Sequence, residues 1–539
     1  MRIAPLFLLL LSILPSIGFA ETKPNIIFIL ADDWVIGDVK CFGGDLCRIE
    51  TPHMDALAKR GMRFTDAHSS SSVCTPTRYS VLTGRYNWRS RLKRGVLYGY
   101  DEPLIEAQRQ TVAGFLQQQG YQTACIGKWH LGMNMPTHDG KRPFSKMTAK
   151  DHDKPVDPAK CNVDWKGTIT EGPTSVGFDY FYGISASLDM PPYIWIHNAQ
   201  FVGECTTAKA FHRSGPAHAD FFDYDVLPTI TKKSVEFIAQ QAASEKSFFL
   251  YMPLNAPHTP ISPSKKFQGK SGLGKYADFV METDWAVGQI VAAVDKAGIA
   301  QNTLIIVTAD NGCSPAAATR AGKNSLNLTF NEESKGEPLA DHHYACSIFR
   351  GHKADIYEGG HRVPFIAKWD GKIETGSMCD SPVCHVDLFA TCADVAGAKP
   401  AKDSAVDSLT FLPQLLGEND LNARETVIHH SINGSFALRN GNWKLAFCPG
   451  SGGWSAPRPM KAQKAEEKKG SGELQSAQLF DLKADPSEQH NVASQHPELV
   501  KKMTAVILRQ ISAGRTTPGP DQENDGETPL YPDWLQKLK

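Results

Sequence analysis

Three mainly hydrophobic stretches of the chain end in charged or amide residues. The stretches and the residues that follow them are 25–31 with Asp32 and Asp33, 121–127 with Lys128, and 303–309 with Asp310 and Asn311. Hydrophobic runs of this length are typical of strands that a parallel sheet buries on both faces. Functional groups in such sheets gather at the carboxyl ends of the strands. The pattern therefore predicts a site where these polar residues meet.

Amphipathic segments between the strands predict helices. They cover residues 51–61, 111–120, 227–243 and 276–297, and a glycine ends each of the first two. A further strand over 247–253 leads into Ala256-Pro257-His258. Strands that alternate with helices through about residue 395 predict an α/β doubly wound domain.

The pattern changes in the last quarter of the chain. Short strands are predicted over 427–430, 435–439, 442–447 and 478–482, and a last helix over 496–513. A lysine-rich run near 461–469 interrupts them and is typical of a solvated loop. A chain of 539 residues is long for one hydrophobic core. We therefore expect a catalytic domain over 21–420 and a smaller C-terminal α+β subdomain, built on an antiparallel sheet, over 421–539.

The first twenty residues have the pattern of a secretory signal peptide. Arg2 precedes a short apolar run, and small residues stand at Gly18 and Ala20. The run is shorter than a membrane span requires, and no later stretch is long and apolar enough to cross a bilayer. The sequence thus predicts export, to the periplasm or the medium, without a membrane span. A formal net charge of −1 gives no general attraction to nucleic acid.

Export permits disulfide bonds among the twelve cysteines. The close spacing of Cys41 with Cys47, and of Cys379 with Cys384, suggests two local pairs. No cysteine–histidine group has zinc-finger spacing.

One short motif carries the most specific chemical information. Residues 74–78 read Cys-Thr-Pro-Thr-Arg, and Leu-Thr-Gly follows at 82–84. This pattern resembles the signature of the type I sulfatases of the alkaline phosphatase superfamily, and the resemblance to arylsulfatase A-like and N-acetylgalactosamine-6-sulfatase-like enzymes extends over most of the chain. It implies a large mixed sheet sandwiched by helices. It also implies that a separate formylglycine-generating or sulfatase-maturating enzyme oxidises Cys74 to formylglycine (3-oxoalanine), whose hydrate is the nucleophile.

The resemblance also implies a metal site and a set of catalytic residues. The metal ligands would be Asp32, Asp33, Asp310, Asn311 and the modified Cys74. Hard oxygen donors without a thiolate or histidine cluster suit Ca²⁺, with Mg²⁺ as the alternative.

The predicted catalytic residues are cations and histidines in recognisable sequence blocks. Arg78 would steady the hydrated aldehyde, and Lys128 and Lys353 would contact sulfate oxygens. His258 would protonate the leaving oxygen, and His130 would remove a proton so that the aldehyde reforms and sulfate leaves. Candidates for substrate contacts are His197, His212 and His361.

Other functions fit parts of this pattern. A phosphate-ester hydrolase of the same fold typically has a Ser or Thr nucleophile and two zinc ions, and a catalytically silent sugar-binding protein would not need the intact residue set. We therefore expect an exported sulfatase that acts on a sulfated carbohydrate, with a small aryl sulfate as the alternative substrate.

Overall fold

The computed structural model describes residues 23–143, 160–315, 326–327, 343–418, 424–458 and 477–530. The predicted signal peptide and the lysine-rich run lie outside the described residues. The strands are β1 (Asn25–Ala31), β2 (Met62–Phe64), β3 (Ala67–His68), β4 (Gln122–Lys128), β5 (Tyr180–Ile184), β6 (Ile196–His197), β7 (Gln200–Phe201), β8 (Thr207–Ala210), β9 (Ser214–Ala217), β10 (Phe248–Pro253), β11 (Thr303–Ala309), β12 (Leu326–Asn327), β13 (His343–Tyr344), β14 (Phe365–Lys368), β15 (Ser377–Cys379), β16 (Val383–Cys384), β17 (Thr426–His430), β18 (Phe436–Asn440), β19 (Trp443–Ala446) and β20 (Gln478–Asp481).

Helices connect and flank these strands. They are α1 (Lys40–Gly43), α2 (Pro52–Arg60), α3 (Cys74–Thr83), α4 (Val112–Gln118), α5 (Val226–Ala242), α6 (Lys275–Lys296), α7 (Glu358–His361), α8 (Leu388–Val395), α9 (Leu412–Leu415) and α10 (Pro497–Ser512). Among the described residues, none of the helices has both the length and the hydrophobicity that a bilayer span requires.

A ten-stranded mixed sheet forms the centre of the molecule. Its strand order is β15-β2-β14-β11-β1-β10-β4-β5-β6-β7. Strand β1 pairs in parallel with β10 on one side and β11 on the other. At one end of the sheet β14 is antiparallel to β11, and at the other β6 is antiparallel to β5. The predicted large mixed sheet is confirmed.

The central strand β1 contributes to two separate cores because successive side chains of a strand point to opposite faces. Ile26, Phe28 and Leu30 pack in the core that includes residues of α3, α4 and α8. Ile27 and Ile29 pack in the core that includes residues of α2, α5 and α6. Burial on both faces explains why this strand is hydrophobic throughout.

A four-stranded antiparallel sheet, β17-β18-β19-β20, follows in the C-terminal region and confirms the predicted second sheet. Its turn between β17 and β18 contacts the loop that precedes α3. The carbonyl of His430 accepts hydrogen bonds from the Ser72 backbone N (3.0 Å) and the Ser71 hydroxyl (2.9 Å). The Ser72 carbonyl accepts one from the backbone N of Ala354 (2.8 Å). Residues far apart in sequence thereby fix the loop before Cys74.

The suggested disulfide pairs are not present. All twelve cysteines lie in the described residues, and none of them forms a disulfide bond. Cys379 and Cys384 belong to β15 and β16, which pair with different partner strands, β2 and β3. The Cys47 thiol donates to the carbonyl of Ile49. Proximity in sequence was therefore an insufficient guide to pairing.

Candidate active site

Two acidic strand ends meet at the carboxyl edge of the central sheet. The parallel register places Ala31 of β1 beside Ala309 of β11, so the residues that follow each strand are neighbours. The Asp33 backbone N donates to Oδ1 of Asp310 (3.1 Å), and Nδ2 of Asn311 donates to Oδ1 of Asp33 (2.6 Å). Asp33 has a positive φ of 64°, a conformation that is unusual outside glycine and common at functional sites.

These residues present unsatisfied oxygen atoms in a buried space. Oδ1 of Asp32, Oδ2 of Asp33 and Oδ1 of Asn311 are buried, and no described residue hydrogen-bonds to them. Ligand atoms of Asp32, Cys74 and Asp310 lie within 4.8 Å of one another. Buried oxygens without partners are costly unless something binds them. The donor set thus fits a hard divalent cation such as Ca²⁺ or Mg²⁺.

Cys74 is the first residue of α3 and is only 3% exposed. Burial raises the pKa of its thiol, and the nearby charges of Lys128 and Lys353 only partly oppose that rise. An unmodified thiol in this position stays protonated at neutral pH, which makes it a weak nucleophile. The helix N-terminus at this point favours an anion.

Three buried cations surround Cys74. Arg78 lies one helical turn after Cys74 and on the same side of α3. It binds Oδ2 of Asp310 through Nη2 (2.7 Å) and Nε (3.1 Å), and donates to the Lys128 carbonyl (3.0 Å). The Lys128 ammonium lies 2.6 Å from Oδ2 of Asp32. Gly127 lets β4 approach β10 just before Lys128, because a Cβ there would lie 1.9 Å from the Pro253 carbonyl oxygen.

The third cation, Lys353, completes a charge balance. Its ammonium lies 2.6 Å from Oδ1 of Asp33. Burial acts to raise the pKa of Asp32, but the charges of Lys128, His258 and Arg78 outweigh it and hold that pKa well below its usual value. Burial and the repulsion of Asp32 raise the pKa of Asp310 to about 6. The three carboxylates of Asp32, Asp33 and Asp310 therefore face three cations, those of Arg78, Lys128 and Lys353.

The environment of His130 defines which ring nitrogen is a base. Nε2 lies 2.8 Å from the carbonyl of Leu97, to which it must donate because a carbonyl only accepts. Nδ1 is therefore the acceptor in the neutral ring, and it is buried without a hydrogen-bond partner among the described residues. Burial, together with the charges of Lys128 and Arg78, lowers the pKa of His130 well below its usual value. The ring is thus neutral, with Nδ1 as its unprotonated nitrogen.

In His258 the ring nitrogen that faces the site is Nε2, whereas in His130 the nitrogen that is free among the described residues is Nδ1. Its Nδ1 donates to the Thr259 carbonyl and lies 3.3 Å from the Ser187 hydroxyl. Its Nε2 lies 3.7 Å from Oδ2 of Asp33 and faces the predicted metal ligands. The side chain is 10% exposed.

The three predicted substrate histidines lie in different surroundings. His197 of β6 is exposed and contacts the rings of Tyr180 and Tyr182. His212 is exposed and has a positive φ of 150°. His361 of α7 is fully buried. The structure does not bring these three together with Cys74, and their substrate contacts stay predictions.

His361 belongs to a second buried group that sequence analysis did not identify. Ligand atoms of His68, Glu358, His361 and His429 lie within 4.8 Å of one another, a donor set that could hold a metal. However, the Lys444 ammonium lies 2.9 Å from Nε2 of His361. The Arg439 guanidinium lies 2.9 Å from Nε2 of His68. Two cations this close favour a hydrogen-bond network over a cation site.

Comparisons with known proteins identify the family. The sulfatase family profile matches residues 24–398, and the profile of the C-terminal region of aryl-sulfatases matches 422–537. The chain belongs to the sulfatase family and is a sulfuric ester hydrolase.

Individual relatives cover almost the whole chain. An N-acetylgalactosamine-6-O-sulfatase of Bacteroides thetaiotaomicron is 31% identical over 530 residues, which cover 91% of this chain and 93% of the relative. Human arylsulfatase A is 29% identical over 540 residues and covers 97% of this chain and 94% of its own. A solved 6S-sulfatase structure, from work on glycosaminoglycan metabolism by B. thetaiotaomicron, has a TM-score of 0.73 at 30% identity and covers 90% of this chain and 99% of its own.

Proposed function

We propose that this protein is an exported carbohydrate sulfatase that uses a formylglycine derived from Cys74 and a single calcium ion. The observation that carries the proposal is the burial of Cys74 among three cations and a set of unsatisfied oxygen ligands. Residues 1–20 serve as the signal peptide, and the two matched regions correspond to domains over 21–420 and 421–539. A maturation enzyme is a required partner.

Asp32, Asp33, Asp310, Asn311 and the modified residue 74 would hold the ion. Bound Ca²⁺ supplies Lewis-acid polarisation of the sulfate and orientation of the nucleophile. The three carboxylates and three cations at the site cancel in charge, so the loaded pocket carries about two positive charges. This surplus favours a sulfate monoester anion, which Lys128 and Lys353 contact directly.

The hydrated aldehyde of residue 74 supplies a nucleophile that a buried thiol does not. Arg78 holds that group in position from one turn along α3. His258 presents Nε2 towards the site and, as an imidazolium whose Nδ1–H is held by the Thr259 carbonyl, gives its Nε2 proton to the leaving oxygen. His130 accepts a proton at Nδ1 in the step that releases sulfate.

The proposed substrate class rests on the substrates that the names of the relatives state. The N-acetylgalactosamine-6-O-sulfatase matches over most of both chains and favours a hexosamine sulfated at its primary hydroxyl. Arylsulfatase A is almost as similar, so a small aryl sulfate is the second candidate.

A mass spectrum of the tryptic peptide Phe64–Arg78 tests the nucleophile. In protein from its native host, we expect residue 74 to have lost sulfur and two hydrogens and gained one oxygen. Specific activity across preparations should rise in proportion to the modified fraction. Fully active protein with an unmodified Cys74 would refute the mechanism.

Calcium binding is tested by thermal unfolding, independently of activity. A ligand that binds the folded state at a thousandfold excess over its Kd adds about 4 kcal/mol to the free energy of unfolding. We therefore expect Ca²⁺ to raise the Tm of chelator-treated protein by several degrees. Asp33→Ala should abolish this shift, whereas Asp403→Ala, at an exposed site, should retain it. An equal shift in both variants would contradict the ligand assignment.

A further inference from the structure

A buried ion pair lies beside His258 and has no role in the chemistry described above. Asp189 follows β5 and is 6% exposed. Its Oδ2 accepts a hydrogen bond from Nη1 of Arg213, which precedes β9. Burial acts to raise the pKa of Asp189, but the charges of His258 and Arg213 outweigh it and lower that pKa to about 2. Asp189 is therefore ionised and close to the residue that faces the leaving group.

Among the described residues, the Asp189–Arg213 pair has one hydrogen-bond acceptor and one donor without a partner. Oδ1 of Asp189 and Nε of Arg213 have no hydrogen-bond partner among the described residues. A buried polar atom without a partner destabilises the folded state, and more so when it is charged. Such a cost is expected where a ligand satisfies both atoms. The side chains keep 9% and 15% of their surface exposed, which gives a ligand access to the edge of the pair.

An exposed aromatic ring adjoins the pair. The guanidinium carbon of Arg213 lies 5.7 Å from the ring centroid of Tyr98. Tyr98 is 38% exposed. It follows Leu97, whose carbonyl fixes the His130 tautomer, so the ring belongs to the same region as the catalytic histidines. Aromatic faces beside paired charges suit a sugar ring, which has apolar C–H surfaces and hydroxyl edges.

We propose that Asp189 and Arg213 bind two adjacent ring hydroxyls of the sulfated sugar, O3 and O4 of a 6-O-sulfated hexosamine, while Tyr98 packs against the ring. Asp189 accepts from one hydroxyl and Arg213 donates to the neighbouring oxygen. This subsite rests on the proposed function, since it assigns the leaving-group side of the same pocket. A small aryl sulfate has no such hydroxyls and leaves both atoms unpaired.

The test compares two substrates, 6-O-sulfated N-acetylgalactosamine and 4-nitrophenyl sulfate. A hydrogen bond to a charged group contributes about 2 kcal/mol, or roughly 30-fold. We expect Asp189→Asn and Arg213→Met each to lower the ratio of the two kcat/KM values, sugar over aryl, by about 30-fold. Glu204→Gln, which disrupts an exposed ion pair with Lys166, is the control and should leave the ratio unchanged. An unchanged ratio in the Asp189 and Arg213 variants would overturn the subsite.

A second measurement needs no variant and is independent of folding. On the unaltered enzyme, the 3-deoxy and 4-deoxy forms of the sugar sulfate should each lose about 30-fold in kcat/KM. Deoxy substrates cleaved as fast as the parent would overturn the proposal while leaving the carbohydrate sulfatase function intact. An enzyme that cleaves the aryl sulfate but no sulfated sugar would instead refute the proposed substrate class, and the subsite with it.

Discussion

Replacing Cys74 by alanine is expected to lower kcat on any sulfate ester by a factor of about 10⁵ or more, because the site then has no nucleophile. Alanine keeps the helical start of α3 and removes only one sulfur atom from a buried position. The fold should therefore persist. The measurement is steady-state hydrolysis of 4-nitrophenyl sulfate by the variant, with its Tm recorded in parallel.

Cys392→Ala is the matched control for this variant. Cys392 is equally buried but lies on α8, away from the cations and carboxylates of the site. We expect Cys392→Ala to lower the free energy of unfolding by about 1 kcal/mol and to leave kcat unchanged. Comparable activity in the Cys74 variant and the unaltered protein would show that the residue does not supply the nucleophile.

Replacing His130 by alanine is expected to lower steady-state kcat by about 10³-fold while sparing the first turnover. The reason is the position of the proton acceptor. Nδ1 of His130 is buried and unpaired among the described residues, and under the proposed function it serves the release of sulfate, not the departure of the alcohol. Rapid mixing with 4-nitrophenyl sulfate should show a burst of about one nitrophenol per active site, followed by a slow phase.

His258→Ala should behave differently because its Nε2 faces the predicted metal ligands and, under the proposed function, protonates the leaving oxygen. Its first turnover should be slow and without a burst, and the loss should be greater for poor leaving groups than for nitrophenol. His490→Ala, at an exposed position, should match the unaltered enzyme in both phases. A burst in the His258 variant and none in the His130 variant would reverse the two assignments.

The sequence predicted the parts of the molecule that local patterns determine. The hydrophobic run before Asp310 forms β11 over the predicted residues 303–309, and the predicted helix over 227–243 is observed as Val226–Ala242. Both depend on continuous burial or helical periodicity, which a short window of sequence reveals. The motif around Cys74 identified the family because its residues are close together in the chain.

Contacts between distant segments were not predictable in this way. Nothing in the sequence near His130 indicates that the carbonyl of Leu97 fixes its tautomer, since any residue supplies a carbonyl. Ser187 and Asp189 lie in an irregular aromatic segment with no periodic pattern, yet the fold places them beside His258. The suggested cysteine pairs were wrong because strand pairing, not sequence spacing, positions Cys379 and Cys384.

The hydrogen bonds from Ser71 and Ser72 to His430 can form only late in the synthesis of the chain. His430 follows Ser71 by 359 residues, so the loop before Cys74 remains without these partners until most of the chain is synthesised. At 5–20 residues per second, this interval lasts roughly 20–70 s. During that time the segment is an unpaired peptide that an enzyme's cleft can accept, whereas in the finished fold Cys74 is enclosed. Under the proposed function, the late-made C-terminal hairpin would limit the time available for modification of Cys74.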